Sequence, residues 1–154
     1  MMATMTRIIS ESGHLVARFF RSLSTASLSG DDERWVAEHF LPAEQELWDQ
    51  LSNQDRRHAV GVAHRFIKLR PEATRAEIVG ALLHDVGKID CRLGILGRVT
   101  ATIVGPRVSD RFRSYHDHEI IGARMLAEVG SDAATVELVA EEGPAYPALN
   151  HADY

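Results

Sequence analysis

The sequence predicts an all-α fold, and three features of the 154-residue chain support this prediction. Apolar residues recur at three- and four-residue intervals almost throughout, which is typical of helices that bury one face. No segment shows the sustained alternation of apolar and polar residues that would mark a confident strand. Glycine, proline and capping residues divide the pattern into segments of helical length. The chain length fits one domain of ordinary size.

The predicted helices of the first half follow a linker of small and polar residues, Ser24 to Asp32. A short helix is expected around Trp35 to Leu41, and Pro42 begins the next one, which runs to Leu51. Ser52 has the character of an N-cap with acidic support from Asp55. It opens a longer helix through about Leu69, which Pro71 terminates.

The second half is predicted to be helical as well, with glycine or proline at most of the helix ends. The expected helices are Ala73 to Asp85 with Gly87 as its stop, Leu93 to Val104, Ser109 to Val129 with Gly130 as its C-cap, Asp132 to Glu142, and Pro147 to the end.

Composition and charge exclude several classes of protein. Hydrophobic residues make up 45% and charged residues 25%, as expected of a globular protein rather than a disordered one. The net charge of -5 argues against nucleic-acid binding through overall charge. No apolar run approaches the roughly 20 residues that span a bilayer, and residues 1–10 do not resemble a signal peptide. Cys91 is the only cysteine, which agrees with a cytoplasmic location.

The chain is predicted to divide into an N-terminal helix with its linker, residues 1–30, and a main helical domain, residues 31–154. Within the first part, Arg7 to Leu23 carries apolar residues at roughly helical spacing. We expect this helix to pack on its own domain or on a second copy of the chain as a homodimer. Binding to a membrane surface is an alternative.

The pair His84-Asp85 is the most informative motif, within Leu82 to Lys88 at the end of a strongly apolar helix. It offers one nitrogen and one oxygen ligand to a divalent ion such as Mn, Fe, Co, Ni, Zn or Mg. His58 lies near the start of the preceding helix, and Asp153 lies on the last one. Each residue alone also has an ordinary structural explanation: His58 as a half-buried helix residue, Asp85 as a turn residue, and Asp153 as a frayed end.

Taken together, this order of residues resembles the HD superfamily of metal-dependent phosphohydrolases over about residues 52–153. The match consists of His58, then His84-Asp85-Val-Gly-Lys88, then Asp153, and a later segment in which His118 is followed by Gly122. The resemblance implies a compact multi-helix HD-domain bundle and a divalent metal bound by His58, His84, Asp85 and Asp153. It also implies hydrolysis of a phosphate ester.

One departure from the family pattern concerns the second metal ion that some members bind. Those members usually carry further histidines, whereas Val139 to Pro144 here contains Glu141 and Glu142. A mononuclear site is therefore expected. His118 matches one of those histidines in position, and Glu142 offers a carboxylate oxygen, which suits Mg or Mn. Both residues are therefore candidates for supporting the metal site or for binding a second metal ion. The alternative, that the glutamates only solvate a helix end, is slightly favoured.

Basic residues near the motif indicate phosphate chemistry. Asp85 and Lys88 are the predicted catalytic residues, with Lys88, Arg92 and Arg98 as substrate contacts, since cations stabilise the oxygens of a transferring phosphoryl group. The segment from Arg92 to Arg113 contains one acidic residue, Asp110, and five arginines: Arg92, Arg98, Arg107, Arg111 and Arg113. For any single arginine, a solvated basic face is the favoured explanation.

The sequence therefore predicts a phosphomonoesterase or phosphodiesterase that acts on a small phosphorylated molecule or a nucleotide through metal-activated water. A degenerate HD domain that binds without turnover is the main alternative. An iron oxygenase of HD type is a further one and would need two irons. The residues do not identify the substrate.

Overall fold

The fold is that of a computed structural model, which describes residues 26–89 and 118–154. Every regular element with defined bounds in these two ranges is a helix, which confirms the all-α prediction. The helices are α1 Gly30–His39, α2 Pro42–Asp49, α3 Asn53–Leu69, α4 Arg75–Leu82, α5 His118–Glu128, α6 Ala133–Val139 and α7 Tyr146–Asp153. The predicted N-terminal helix, the helix Leu93 to Val104 and the start of the helix from Ser109 lie outside the described residues.

Side-chain caps explain where several helices begin. The Ser52 hydroxyl accepts a hydrogen bond from the Asp55 amide at 3.2 Å and so begins α3, as the sequence predicts. Ser29 caps α1 in the same way, so α1 begins inside the predicted linker. A capping box that the sequence analysis missed begins α4: the Thr74 hydroxyl accepts from the Glu77 amide, and the Glu77 carboxylate accepts from the Thr74 amide.

The helix before the His84-Asp85 pair is shorter than predicted. It ends at Leu82 rather than at Asp85, and Gly87 is not the residue that stops it. Beyond Leu83 the backbone forms hydrogen bonds of the tighter i to i+3 type, from Val86 to Leu83 and from Lys88 to Asp85 at 3.0 Å each. Both candidate ligands therefore lie on a buried turn rather than on a helix face.

The later helices combine one confirmed prediction with one correction. Gly130 has a φ of +79°, and the Gly130 and Ser131 amides donate to carbonyls of the last turn of α5, which makes Gly130 the predicted C-cap. By contrast, α6 ends at Val139, three residues before the predicted end. Glu141 has a φ of +64°, and a left-handed residue cannot continue a right-handed helix.

Helix α4 lies at the centre of the described fold, packed against α3 and α6. Helix α7 packs on α3, α5 packs on α6, and α1 touches α4. The core consists of fully buried apolar side chains such as Phe66, Leu82, Leu83, Leu126 and Leu138. Burial of each contributes on the order of 1.5–3 kcal/mol relative to exposure. This packing carries the turn after α4 into the interior, next to α3, α5 and α7.

Among the helices of the two described ranges, none is both long enough and apolar enough to cross a membrane. The boundary at residue 30 and the homodimer remain predictions, since the N-terminal helix lies outside those ranges.

Candidate metal centre

The structure brings the four predicted ligands together from three parts of the fold. His58 projects from α3, His84 and Asp85 lie on the turn after α4, and Asp153 is the last residue of α7. His58 Nε2 lies 2.9 Å from Asp153 Oδ1. His84 Nε2 lies 3.5 Å from both Asp153 Oδ1 and Asp85 Oδ2. One donor atom from each of His58, His84 and Asp85 lies within 4.8 Å of the other two, close enough to hold one metal ion.

These separations suit ligands of a shared ion. Two donor atoms at about 2.1 Å from one ion lie about 3.0 Å apart at a right angle and about 3.4 Å apart at the tetrahedral angle. The spacings of 2.9 Å and 3.5 Å that involve Asp153 fall at those two values. His58, His84 and Asp85 therefore form a group of donors that could hold a divalent cation, and Asp153 lies beside both histidines.

His84 carries the clearest sign of a missing partner. Its Nδ1 lies 2.8 Å from the Ala81 carbonyl oxygen, so Nδ1 holds the proton in the neutral ring and Nε2 keeps its lone pair. The Nε2 atom is buried and has no hydrogen-bond partner, and the side chain is only 10% exposed. A buried polar atom without a partner is costly, and a bound cation would remove that cost.

Neighbouring charges shift the pKa values of His84 and of the two aspartates beside it. Burial acts to lower the pKa of His84, but the carboxylates of Asp153 and Asp85 outweigh it, so the net shift is upward. The His58 ring, hydrogen-bonded to Asp153, and the nearby His84 ring hold the pKa of Asp153 well below its usual range. Burial would raise the pKa of Asp85, yet His118, His84 and Lys88 together lower it. Both carboxyl groups are therefore ionised at neutral pH, as metal binding requires.

Lys88 lies at this cluster, whereas the predicted arginines cannot be placed. The Lys88 ammonium donates to Asp85 Oδ2 at 2.6 Å and is about one-third exposed. It thus stands between the buried carboxylate and solvent. Arg92 and Arg98, together with Arg107, Arg111 and Arg113, lie outside the described residues.

His118 lies on the other side of Asp85. Its Nε2 is 3.4 Å from Asp85 Oδ1 and 3.1 Å from Glu119 Oε1. Gly87 makes this approach possible, because a Cβ at Gly87 would lie 1.9 Å from the His118 carbonyl oxygen. Gly87, which was expected to stop a helix, therefore allows the turn to pack closely against the start of α5.

A pocket opens beside the cluster, with a cavity volume of about 70 Å³. Three of the proposed ligands, His84, Asp85 and Asp153, line it. Its other polar side chains are His118, Glu119, Glu141, Tyr146 and Asn150, and its apolar part is formed by Leu138, Val139 and Leu149. This volume suits an ion with a few waters or a phosphoryl group more than a whole drug-sized ligand.

The pocket adds residues that sequence reasoning missed. Glu141 lines it, whereas its neighbour Glu142 does not, and the role of Glu142 as a second-metal residue stays a prediction. Tyr146 and Asn150 share the helical face of Asp153 at three- and four-residue spacing, a signal that was present in the sequence. Glu119 follows His118 directly and was equally visible.

The family model of the HD domain matches residues 55–148, which is more than half of the chain. The matched stretch contains His58, His84, Asp85 and His118 and ends shortly before Asp153. Searches of curated proteins and of solved structures gave no significant match.

Proposed function

Because this chain belongs to the HD domain family, we propose that it is a metal-dependent phosphohydrolase that acts on a small phosphorylated molecule or a nucleotide. Divalent metal ions are typical of HD domains, and the structure contains a possible site of histidine and aspartate donors. The observation that carries the proposal is the buried, unpartnered Nε2 of His84 among the donors of His58, Asp85 and Asp153.

In this proposal, His58, His84, Asp85 and Asp153 hold one divalent ion. Two imidazole nitrogens and two carboxylate oxygens suit Mn, Fe, Co, Ni, Zn or Mg, and they do not select one of these. Four protein ligands leave positions open for water and substrate if the ion is five- or six-coordinate. When bound, the ion supplies a water of lowered pKa and polarises a phosphoryl oxygen.

The protein's own residues complete the chemistry. Asp85 stays ionised in its buried position and is held from two sides, by Lys88 through Oδ2 and by His118 through Oδ1. The Lys88 ammonium, at the edge between this carboxylate and solvent, supplies positive charge for the oxygens of the phosphoryl group. Arg92 and Arg98 are proposed to extend this positive charge along the substrate.

Elemental analysis of protein purified without added metal or chelator tests the metal site first. We expect about one equivalent of a transition metal in the wild type and none in His84→Ala. Because weak Mg binding would escape this assay, Mg titration follows if no metal is found. His151→Ala is the matched control, since His151 is an exposed neighbour of Asp153 outside the pocket.

Phosphate release with the identified ion then tests catalysis. Asp85→Ala should abolish both metal binding and turnover, while far-UV circular dichroism shows unchanged helical content. Turnover that survives this substitution would contradict the proposed mechanism. Two irons per chain would instead favour oxygenase chemistry.

Two observations favour the second candidate, a binding module without turnover. The Lys88 ammonium already neutralises Asp85, and the pocket wall carries Glu141 where two-metal relatives are expected to carry histidine. This candidate predicts ligand binding with no phosphate release from any ester in the presence of the bound metal. Steady-state turnover with a generic aryl phosphate separates the two functions.

A further inference from the structure

The Lys88 ammonium contacts the carboxylate oxygen of Asp85 that faces the neighbouring metal-ligand candidate. Lys88 Nζ lies 2.6 Å from Asp85 Oδ2, and the same oxygen lies 3.5 Å from His84 Nε2. The other oxygen, Oδ1, is the one that His118 approaches, at 3.4 Å from its Nε2. Asp85 therefore presents a single oxygen, Oδ2, both to Lys88 and to a cation bound at His84.

The turn after α4 itself holds the ammonium in this position. Lys88 follows Asp85 by three residues, and its backbone amide donates to the Asp85 carbonyl oxygen at 3.0 Å. The ion pair thus forms within one tight turn and needs no other element of the fold. The Asp85 side chain is only about one-tenth exposed, so its negative charge requires a cationic partner close by. Lys88 supplies that positive charge from the same turn.

A divalent ion at the same oxygen would compete with the ammonium. Two positive charges that share one carboxylate oxygen repel each other strongly, since a mostly buried site screens them poorly. Lys88 has an alternative partner in water, because its side chain is about one-third exposed and its stem is flexible. The ammonium can therefore leave Asp85 for solvent, whereas the buried carboxylate cannot.

The position of Lys88 relative to the pocket gives this competition a consequence. Asp85 lines the pocket, and Lys88 is not part of its lining while the ammonium lies on Oδ2. In the proposed function, this ammonium supplies positive charge to the oxygens of a phosphoryl group. Departure from Asp85 would make that charge available to an anion in the pocket.

We propose that Lys88 and the metal ion exchange at Asp85 Oδ2, so that metal binding releases the ammonium for the phosphoryl group of the substrate. Lys88 is then a built-in competitor of the metal, and the metal prepares the site for an anion. The exchange rests on the proposed metal site, and the use of the released charge rests on the proposed phosphohydrolase function. Because coupling between two binding events is reciprocal, the anion must also strengthen metal binding.

The chemical reactivity of Lys88 tests the exchange in the wild-type protein. A limiting dose of acetic anhydride acetylates free amines faster than amines held in ion pairs, and peptide mass spectrometry measures the product at each lysine. Lys68, an exposed residue of α3, is the internal reference. We expect saturating Mn²⁺ to raise the acetylation of Lys88 relative to Lys68. A ratio that stays unchanged or falls overturns the exchange.

The metal Kd in Lys88 variants tests the competition, by use of a chromophoric chelator. The charged hydrogen bond that the metal must break is worth roughly ten- to a hundredfold in an equilibrium constant. We therefore expect the Kd for Mn²⁺ to fall by about tenfold or more in Lys88→Met, which removes the competing charge. Lys88→Arg keeps the charge and should not gain this affinity. Unchanged or weaker binding in Lys88→Met overturns the proposal.

Arg57→Met is the matched control for a general effect of charge. Arg57 directly precedes the proposed ligand His58, and its side chain donates to the Ala26 carbonyl oxygen. The substitution therefore removes a positive charge beside the metal cluster and leaves the Lys88 ion pair in place. We expect the Kd for Mn²⁺ to change much less than in Lys88→Met. An equal gain of affinity in both variants overturns the specific competition.

Sulfate tests the release of the ammonium to an anion, because it resembles a phosphoryl group and does not precipitate Mn²⁺. We expect saturating sulfate to lower the Kd for Mn²⁺ in the wild type and to have a much smaller effect in Lys88→Met. An equal effect of sulfate in the two proteins overturns this part of the proposal.

Failure of the exchange and failure of the proposed function give different results. If Lys88→Met keeps the wild-type Kd while the wild type turns over a generic aryl phosphate, the exchange is wrong and the phosphohydrolase stands. If the exchange is observed but no ester releases phosphate, the exchange stands and the hydrolase is contradicted. No binding of Mn²⁺ to either protein overturns the exchange.

Discussion

Asp153 depends on an arginine that is not part of the metal cluster, and this leads to a sharp prediction. The Arg65 side chain on α3 donates from Nε to the carbonyl oxygen of Ala152 at 2.6 Å. Carbonyl groups in the last turn of a helix have no partner within the helix, and a cationic donor stabilises them. Because Ala152 precedes Asp153 directly, this hydrogen bond holds the end of α7 beside His58. We therefore predict that Arg65→Ala weakens metal binding.

The size of the effect follows from this single contact. A hydrogen bond with one charged partner contributes roughly 1.5–3 kcal/mol, and the exposure of Arg65 favours the lower end of that range. About 1.4 kcal/mol corresponds to a tenfold change in affinity. We expect about a tenfold higher Kd for the metal, which also agrees with the roughly 10–100-fold cost of losing residues that orient metal ligands.

Competition with a chromophoric chelator measures this Kd in the wild type, Arg65→Ala, Arg65→Lys and Lys68→Ala. Lysine can still donate to the Ala152 carbonyl, so Arg65→Lys should recover part of the affinity. Lys68 is an exposed residue of the same helix, and its replacement should leave the Kd unchanged. If Arg65→Ala lowers the melting temperature but keeps the wild-type Kd, the arginine supports only the fold and the reasoning about Asp153 is wrong.

Three further predictions concern the turn, the fold and the metal. Gly87→Ala should abolish metal binding and lower the melting temperature, because the new Cβ would lie 1.9 Å from the His118 carbonyl oxygen of α5. The control Gly30→Ala should be tolerated, because a Cβ there would meet nothing within 4 Å. Arg70 lowers the pKa of Glu77, so this carboxylate stabilises the fold above the ordinary glutamate pKa and loses that contribution as the pH falls through its lowered value. Urea denaturation at pH 7 and pH 3 should therefore show a smaller loss of stability in Glu77→Gln than in the wild type. Metal at about 100 times its Kd should add about 2.7 kcal/mol to the free energy of unfolding, seen as a melting-temperature rise of roughly 5–10 °C that His84→Ala lacks.

Local signals in the sequence account for most of the helix boundaries that were predicted correctly. Ser52 with Asp55, and Gly130 after a long apolar pattern, act through contacts within a few residues, so the sequence alone reveals them. The capping box of Thr74 and Glu77 is equally local and could have been recognised. The early end of α4 could not, because the tighter turn beyond Leu83 depends on burial against other helices.

The candidate site is predictable to a different degree at each position. The resemblance to the HD superfamily indicated His58 and Asp153 as partners, although 95 residues separate them in the chain. Which of the two adjacent glutamates lines the pocket depends on one backbone angle at Glu141, and no sequence pattern specifies that angle. Gly87 illustrates the same limit, since its role comes from the approach of α5.

The four proposed ligands have unequal structural support, and this decides where the metal affinity is most sensitive. His84 and Asp85 lie on a buried turn that the core holds from several sides, and both side chains are about nine-tenths buried. His58 and Asp153 are about half exposed and rest on each other, on the Arg65 hydrogen bond to Ala152 and on the packing of α7 against α3. Substitutions that loosen α7 should therefore lower the metal affinity before they lower the stability of the domain. Substitutions around His84 and Asp85 should affect both together.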